Sequence, residues 1–301
     1  MVAKVILNPY ANRWGSQGRW PEAEAALNAA GVEFELVVSQ YKGQVVELAE
    51  EAACDGFSPI IAVGGDGTVG ETVNGLARVA KSEDALLGPI GIIPTGSAND
   101  FAFNANMSAD LKVAAQDIAA GKTCPIDLGV LNGQLFINNS AAGLEPYVTT
   151  KHERIQWIKG ATRYLVATLW AIMDGPKWTG TVKWDGGKYT GPLTFVTIGN
   201  GRRTGGFFYM TPHADLTDGQ LTLAYGYRGT RISIFQALPR SFKEDKGSYV
   251  ELDGMYEVNT TEVSIHLDQP SPAHTDGELF PEFIRDFDYS IQPGRLQLLV
   301  P

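Results

Sequence analysis

The residues with the clearest chemical potential lie in the glycine-rich stretch between Pro59 and Leu76. Ile60–Val63 is a short β-branched run that predicts a buried strand, and Gly64–Gly67 predicts a tight turn. From Thr68 the chain has no helix breaker before Gly75, so a helix is expected there. Glycines let a backbone approach a ligand closely, and the N–H groups at a helix start favour an anion. This pattern predicts a phosphate-binding loop.

Asp66 adds a carboxylate to the predicted loop. A carboxylate beside a phosphate is repelled unless a cation lies between or near the two anions, and Mg²⁺ binds oxygen ligands of both kinds. The sequence therefore predicts a divalent metal ion, most simply Mg²⁺, together with the phosphate.

Two other glycine motifs fit this stretch less well. Gly65-x-Gly67-x-x-Gly70 matches the dinucleotide fingerprint literally, but it follows the third predicted strand, and Gly88-Pro89 stands about 20 positions on, where that fingerprint needs an acidic residue. The Gly-Lys-Ser/Thr of a P-loop is also missing. Glycines used only for packing are the remaining alternative, which this density of glycines disfavours.

Composition excludes several classes of protein. The 301 residues are 44% apolar and 19% charged, which is typical of globular proteins. A formal net charge of −10 argues against sequence-independent nucleic-acid binding. Two cysteines without metal-ligand spacing, a short apolar N-terminus and the lack of a 20-residue apolar run predict a cytoplasmic protein without a transmembrane segment.

The first half of the chain alternates predicted strands and helices. The predicted strands are Val2–Leu7, Val32–Val38, Ile60–Val63 and Leu87–Ile93, and the predicted helices include Pro21–Ala30, Gln44–Asp55 and the helix from Thr68. Pro21 suits a first helical turn and Gly31 a helix end. This alternation predicts an α/β domain with a mostly parallel sheet, whose ligands bind at the carboxyl ends of the strands.

The second half of the chain is predicted to form short strands separated by Asp-Gly and Asn-Gly turns, with one helix at 152–173. Thr181–Trp184 and Lys188–Thr190 flank a turn and predict a hairpin. We expect a nucleotide-binding domain at 1–122 and a β-rich antiparallel sandwich at 123–301 that holds the acceptor, with the last strand returning to the first domain. The cleft between the two domains is the expected site.

A set of motifs in fixed order identifies a family. GGDGT at 64–68 is followed by SANDFA at 97–102, PIDLG at 125–129, Gly199-Asn200-Gly201, Asp215–Leu221 and Asp276-Gly277-Glu278. The chain resembles the diacylglycerol kinase catalytic family, which includes bacterial lipid kinases, sphingosine kinases and ceramide kinase. GGDGT alone is shared with NAD kinases, whereas the whole set is more specific.

The resemblance implies ATP and Mg²⁺ as cofactors. The residues it implies for the nucleotide are Ser39, Gly64, Gly65, Gly67, Thr68, Gly70, Thr95, Asn99 and Asp100, with Arg13 as a cation. Arg202 and Arg203 are further candidate cations, and solvated surface charge is the alternative for each arginine. Asp66 is also expected to take part in catalysis, and Asp66, Asp100 and Asp127 would organise Mg²⁺. In bacterial members a second, structural Mg²⁺ is bound at the turn that corresponds here to Asp215, Asp218 and Gln220, and a plain β-turn is the alternative for this stretch.

Glu278 is the expected general base by the same resemblance. A lipid hydroxyl loses its proton as it attacks phosphorus, and a nearby carboxylate accepts it. Seven Asp-Gly pairs occur in this chain, and most of them are expected to be ordinary turns, so spacing alone gives Glu278 little weight. The chain departs from the family pattern at Gly70, where asparagine is usual, at Ser97, where threonine is usual, and at Asn12-Arg13.

The sequence defines the binding site of the phosphate acceptor less well than that of the nucleotide. The 152–173 stretch carries apolar residues at helical spacing with Trp157 and Trp170 and the basic residues Lys151, Arg154, Lys159 and Arg163. Such a helix either contacts an acyl chain or membrane surface or simply packs in the core, and core packing is the more common case.

The expected function is therefore a kinase that acts on a lipid acceptor at a membrane surface, with diacylglycerol as the default acceptor. Peripheral membrane association and a homodimer are compatible with this prediction. Two alternatives stay open: an NAD kinase-like enzyme that acts on a soluble hydroxyl, and a nucleotide- or lipid-binding regulator without turnover.

Overall fold

The computed structural model describes residues 2–155, 158 and 161–301. The chain divides into two units, which we call the N-terminal and C-terminal units after the position of most of their residues. The N-terminal unit comprises Met1–Leu128, Leu216–Gly219 and Gln292–Pro301, and the C-terminal unit comprises Gly129–Asp215 and Gln220–Ile291.

The N-terminal unit alternates strands and helices. Its elements are β1 Ala3–Leu7, α1 Gly15–Ala29, β2 Phe34–Val38, α2 Gln44–Cys54, β3 Ile60–Gly64, α3 Asp66–Arg78, β4 Leu87–Pro94, α4 Asp100–Asn104, α5 Leu111–Ala120 and the start of β5 Thr123–Leu131. The strands pair in the order β2-β1-β3-β4, all parallel.

The residues that predicted this sheet form its core. Val5, Ile61 and Val63 of the strands pack with Leu27 of α1 and Ile118 of α5. Burial on both faces of a parallel sheet explains why the strands are nearly continuous apolar runs. The predicted α/β fold with a mostly parallel sheet is confirmed.

The C-terminal unit is rich in antiparallel strands. Its elements are β6 Gln134–Phe136, β7 Asn139–Gly143, α6 Leu144–Arg154, α7 Ala161–Asp174, β8 Trp178–Trp184, β9 Gly187–Leu193, β10 Phe195–Gly199, β11 Arg203–Thr204, β12 Phe208–Tyr209, β13 Leu221–Gly226, α8 Arg231–Ala237, β14 Met255–Thr260, β15 Glu262–Ser271, β16 Ala273–Thr275, β17 Glu278–Leu279 and β18 Ile284–Leu299. The last eight residues of β18 belong to the N-terminal unit, where Leu296 and Leu298 pair in parallel with β4.

Two antiparallel sheets face each other in the C-terminal unit. One has the order β14-β13-β10-β7-β16-β17, and in the other β15 pairs with β8 and with the first half of β18. Ile198 and Leu223 of the first sheet share a core with Val182, Ile265 and Phe287 of the second. The predicted β-rich sandwich and the β8–β9 hairpin are confirmed.

The single helix predicted at 152–173 is wrong. Helix α6 ends at Arg154, and α7 begins at Ala161. Ile155 takes an extended conformation (φ −87°, ψ 99°), and its buried side chain packs with Val148 of α6 and Ile172 of α7. Helix α6 therefore ends where Ile155 packs into the core that α6 and α7 share. Trp157 and Lys159, which the sequence assigned to that helix, lie outside the described residues.

The first helix also differs from the prediction, because it begins at Gly15 rather than at Pro21. Asn12, Arg13 and Trp14 take left-handed conformations and close the preceding loop, so that Ser16 N–H donates to the carbonyl of Ala11 (3.1 Å). Pro21 is therefore inside the helix, whereas Gly31, at φ 77°, ends it as predicted. We find no helix among the described residues with the length and apolarity that a bilayer crossing requires.

Candidate active site

The loops that follow neighbouring strands of the N-terminal unit are joined by backbone hydrogen bonds. Ser39 N–H, after β2, donates to the carbonyl of Leu7 (3.0 Å), and Thr95 N–H, after β4, donates to that of Gly64 (2.9 Å). Asn8 N–H, after β1, donates to Val63 (3.0 Å). The parallel register therefore gathers four polar loops at one sheet edge, where ligands bind in such folds.

Helix α3 starts earlier than the sequence predicted, because Asp66 and Gly67 are its first two residues rather than part of a loop. Thr68 N–H and Val69 N–H both donate to the carbonyl of Gly65 (2.9 and 3.1 Å), which closes the first turn. No side chain caps the helix at Gly65. The positive end of the α3 dipole is thus not covered by its own cap, and a phosphate is favoured there.

Gly65 and Gly96 bring two of these loops into direct backbone contact. A Cβ placed on Gly96 would lie 2.3 Å from the Cα of Gly65 and 2.7 Å from Oδ1 of Asn99. A Cβ on Gly65 would lie 3.0 Å from the Cα of Gly96. Side chains at these positions would force the loops after β3 and β4 apart, so the close approach requires glycine at both.

Polar groups from α3 and α4 meet beside this contact. Asp66 Oδ1 accepts a hydrogen bond from Phe101 N–H (2.8 Å), which ties the carboxylate to the first turn of α4. Asp100, the first residue of α4, is buried. Asn99 precedes it in a left-handed conformation (φ 50°) and donates to the carbonyl of Gly96 (3.2 Å). Its Oδ1 is buried and has no hydrogen-bond partner among the described residues.

The hydroxyl side chains expected at the nucleotide differ in their surroundings. Thr68 Oγ1 lies 3.1 Å from Nδ2 of Asn8, which donates to it, and Thr95 Oγ1 shares a 2.6 Å hydrogen bond with Ser16 Oγ. Both threonines are buried and hold the loops together. Ser39 is buried as well, but its hydroxyl has no partner within the described part of the chain.

Three more predicted cofactor residues, Gly64, Gly70 and Arg13, lie in the same unit and differ in their burial. Gly64 packs under Thr68, where a Cβ would lie 2.2 Å from the threonine Oγ1. Gly70 is buried in the second turn of α3, farther from the helix start than Gly67. Arg13 is exposed in the left-handed stretch before α1. A direct phosphate contact of Gly64, Gly70 or Arg13 stays a prediction.

The Asp127 carboxylate accepts hydrogen bonds from backbone N–H groups of its own unit. Its Oδ2 accepts from Gly219 N–H and its Oδ1 accepts from Gly294 N–H, both at 2.6 Å, and the residue is 2% exposed. Its own N–H donates to Leu216 (2.8 Å). This carboxylate joins three separate chain segments of the N-terminal unit.

The other predicted metal ligands fall within one short stretch of sequence, 215–220, that is divided between the two units. Asp218 is exposed in the N-terminal unit, whereas Asp215 and Gln220 belong to the C-terminal unit. Within the described chain, no group of three or more His, Cys, Asp or Glu side chains is arranged to bind a metal ion. Mg²⁺ commonly uses only one or two carboxylates together with phosphate oxygens and water.

Glu278 is exposed at the start of β17, directly after a tight turn. Asp276 and Gly277 have φ values of 50° and 81°, which suits a two-residue hairpin loop. The Asp276 carboxylate accepts three backbone hydrogen bonds, from Ile137 (2.9 Å), Asn138 (2.8 Å) and Asn139 (3.1 Å). These bonds fix the turn that carries Glu278.

An apolar cavity of about 50 Å³ lies inside the C-terminal unit. Its walls include Leu144, Val148, Tyr164, Ile172, Phe195 and Phe208. Glu145 is the one charged residue among its described lining residues. Burial and the Glu145 charge both raise the pKa of Tyr249, another lining residue, and of the nearby buried Tyr289.

Sequence reasoning missed several residues of these sites. Asn8 and Ser16 follow β1 as Ser39 follows β2, so the rule that selects polar residues after a strand could have found them. Asp276 was grouped with the other Asp-Gly turns, and Glu145 carried no sequence signal. Arg202, a candidate cation, is paired with Glu244 at 2.7 Å.

Comparisons with known proteins agree with this architecture. Residues 2–131 match the diacylglycerol kinase catalytic domain family, and residues 138–300 match the YegS C-terminal NAD kinase beta sandwich-like domain family. A Pseudomonas aeruginosa protein named "probable lipid kinase YegS-like" is 30% identical over 99% of this chain and 94% of its own length. The diacylglycerol kinase of Bacillus subtilis is 25% identical over 92% of this chain and 90% of its own length.

The fold is also found in a solved structure. A diacylglycerol kinase from Bacillus anthracis superposes with a TM-score of 0.78 over 100% of this chain and 97% of that chain, at 23% identity. Fold and sequence together define a two-domain kinase of the lipid kinase superfamily. The chain belongs to the YegS-like and diacylglycerol kinase family of lipid kinases.

Replacing Asp127 with alanine should lower the free energy of unfolding by about 2 kcal/mol, because two part-buried backbone N–H groups lose their acceptor. Asp127→Asn, which keeps one side-chain oxygen, should cost less. The measurement is urea denaturation without nucleotide or metal. A loss of stability seen only when Mg²⁺ and ATP are present would contradict this structural role and favour metal binding by Asp127.

Proposed function

We propose that this chain transfers the γ-phosphate of ATP to the hydroxyl of a lipid, with a diacylglycerol-like acceptor as the reference substrate. The observation that supports this proposal most directly is that three features lie together at one sheet edge. They are the Gly65–Gly96 contact, the N-terminus of α3 and the Asp66 carboxylate. Membership in a lipid kinase family supports the same reaction.

The phosphates of ATP would lie over the loop after β3 and the start of α3. The Gly65–Gly96 contact would fix the two loops that surround the phosphates, and the first-turn amides of α3 supply a positive potential. The buried hydroxyl of Ser39 and the side chain of Asn99 offer polar partners to the rest of the nucleotide. Thr68 and Thr95 hold these loops in position.

The same loops fit a magnesium ion. Asp66 and Asp100 would bind it, and the buried Asn99 Oδ1 offers a further oxygen beside them. When bound, Mg²⁺ neutralises the negative charge on the phosphate oxygens during transfer. Asp127 would act indirectly, by fixing the backbone near Gly219 and Gly294.

Glu278 would act as the general base. Phosphoryl transfer needs little covalent chemistry from a protein beyond positioning and charge stabilisation, but the attacking hydroxyl must lose its proton. Glu278 is exposed, which leaves its carboxylate accessible to an acceptor, and the Asp276 turn limits its movement.

The apolar cavity favours a lipid over a soluble acceptor. An aliphatic chain buries apolar surface in such a cavity and gains about 0.8 kcal/mol for each CH₂ group. An NAD kinase-like substrate has no comparable apolar part. A regulator without turnover would need no general base, so the presence of Glu278 favours an enzyme.

The proposal predicts label transfer from [γ-³²P]ATP with Mg²⁺ to at least one lipid in mixed micelles, with NAD as the soluble control. Glu278→Ala should lower kcat by about 100-fold or more while ATP binding stays unchanged, because proton removal is lost. Glu282→Ala, which removes an exposed carboxylate nearby in sequence, is the matched control. Label in NAD alone, or full activity of Glu278→Ala, would refute the corresponding part of the proposal.

We further propose that the protein works at the cytoplasmic surface of a membrane and that the outer face of α7 contacts the lipid. Leu165, Leu169 and Met173 lie four residues apart on α7 and are 40%, 38% and 55% exposed. Tyr164, Thr168 and Ile172, each one position earlier in the sequence, line the cavity from the adjoining face of the helix. One helix would thus separate the bilayer from the acceptor cavity.

The double variant Leu169→Glu/Met173→Glu should bind phosphatidylcholine vesicles about tenfold more weakly, since two apolar side chains no longer enter the interface. Vesicle co-sedimentation measures this binding. Val113→Glu, at an exposed apolar position of α5, is the control and should bind like the unmodified protein. Equal binding of all three proteins would exclude this face of α7 as the contact.

A further inference from the structure

Glu145 places a buried carboxylate in the wall of an otherwise apolar cavity. It lies in the first turn of α6 and is 7% exposed. Thr197 Oγ1 donates to its Oε2 (2.7 Å), and Asn139 Nδ2 donates to its Oε1 (3.1 Å). His274 Nε2 lies 3.2 Å from the same Oε1. A buried carboxylate is costly unless it is hydrogen-bonded, and these donors hold Glu145 in place.

No lysine or arginine is among the described residues that line the cavity. His274 is 2% exposed, so its contact with Glu145 is shielded from water.

Glu145 retains capacity for a further donor. A carboxylate has about four lone-pair positions. The described contacts occupy three of them, two at Oε1 and one at Oε2. A ligand in the cavity can therefore donate to Oε2 in a setting where little water competes.

Glu145 is connected to the turn that carries Glu278. Asn139 donates from its side chain to Glu145 and from its backbone to Asp276 Oδ1. Helix α6 also packs against β16 and β17. An acceptor whose chain enters the cavity and whose headgroup binds Glu145 would thus be held by the same segment that fixes the Glu278 turn.

We propose that Glu145 determines acceptor specificity by binding a second hydrogen-bond donor in the headgroup of a single-chain lipid, either an amine or an additional hydroxyl. This inference rests on the proposed lipid kinase function. Diacylglycerol has a single donor, the hydroxyl that is phosphorylated, and its ester oxygens are acceptors that a carboxylate repels. The cavity volume of about 50 Å³ is far smaller than that of pockets that enclose a whole ligand, so the cavity has room for part of one chain and not for two.

The test compares phosphorylation of diacylglycerol, a monoacylglycerol and a long-chain amino alcohol with matched chains. The unmodified protein should prefer the single-chain acceptors, and Glu145→Gln should reduce that preference by about tenfold or more, mainly through KM. The better of the two single-chain acceptors identifies the donor as hydroxyl or ammonium. Glu257→Gln is the matched control, because Glu257 pairs with His213 Nδ1 (2.5 Å) and does not line the cavity.

A preference for diacylglycerol in the unmodified protein, or an unchanged preference in Glu145→Gln, would overturn this inference while leaving the lipid kinase proposal intact. Phosphorylation of none of the three lipids would count against the kinase proposal instead. Binding of hexadecylamine, which has a donor but no hydroxyl, then decides the inference separately. The unmodified protein should bind it more tightly than hexadecyl acetate, and equal affinities would overturn the role of Glu145 even if Glu145→Gln fails to fold.

Discussion

The N-terminal unit depends on the contact between the backbones of Gly65 and Gly96. Parallel pairing places the ends of β3 and β4 side by side, and only residues without a Cβ let the following loops touch. That contact sets the start of α3 and, through Asp66 and Phe101, the start of α4. The orientation of both helices, and the phosphate and metal binding proposed above, therefore depend on one steric requirement.

The C-terminal unit uses hydrogen-bonded carboxylates for comparable purposes. Asp276 accepts three backbone N–H groups and fixes a hairpin turn, whereas Glu145 accepts side-chain donors in the wall of an apolar cavity. Asn139 bonds to both. In the proposed reaction, the residue that removes the proton and the residue that selects the headgroup are held by the same hydrogen-bonded segment.

Local patterns predicted the alternating strands and helices and the glycine loop, because both depend on residues close together in the sequence. The hydrogen bond of Asp276 to Asn139 joins residues 137 positions apart, and no local pattern distinguishes Asp276 from the other Asp-Gly turns. Glu145 can be recognised as a candidate binding residue only from the cavity that it lines, which the sequence does not reveal. The break at Ile155 was missed because the helical spacing continues past it, and burial of that side chain decides the conformation.

The affinity of Gly96→Ala for ATP with Mg²⁺, measured by isothermal titration calorimetry, tests the central claim most directly. Gly18→Ala is the control, since a Cβ on that helical glycine meets nothing within 4 Å. If the Gly65–Gly96 contact builds the phosphate site, the Gly96 variant should remain folded and bind about tenfold more weakly or worse, because the added methyl group separates the two loops. Equal affinity in the two variants, with both folded, would contradict the account.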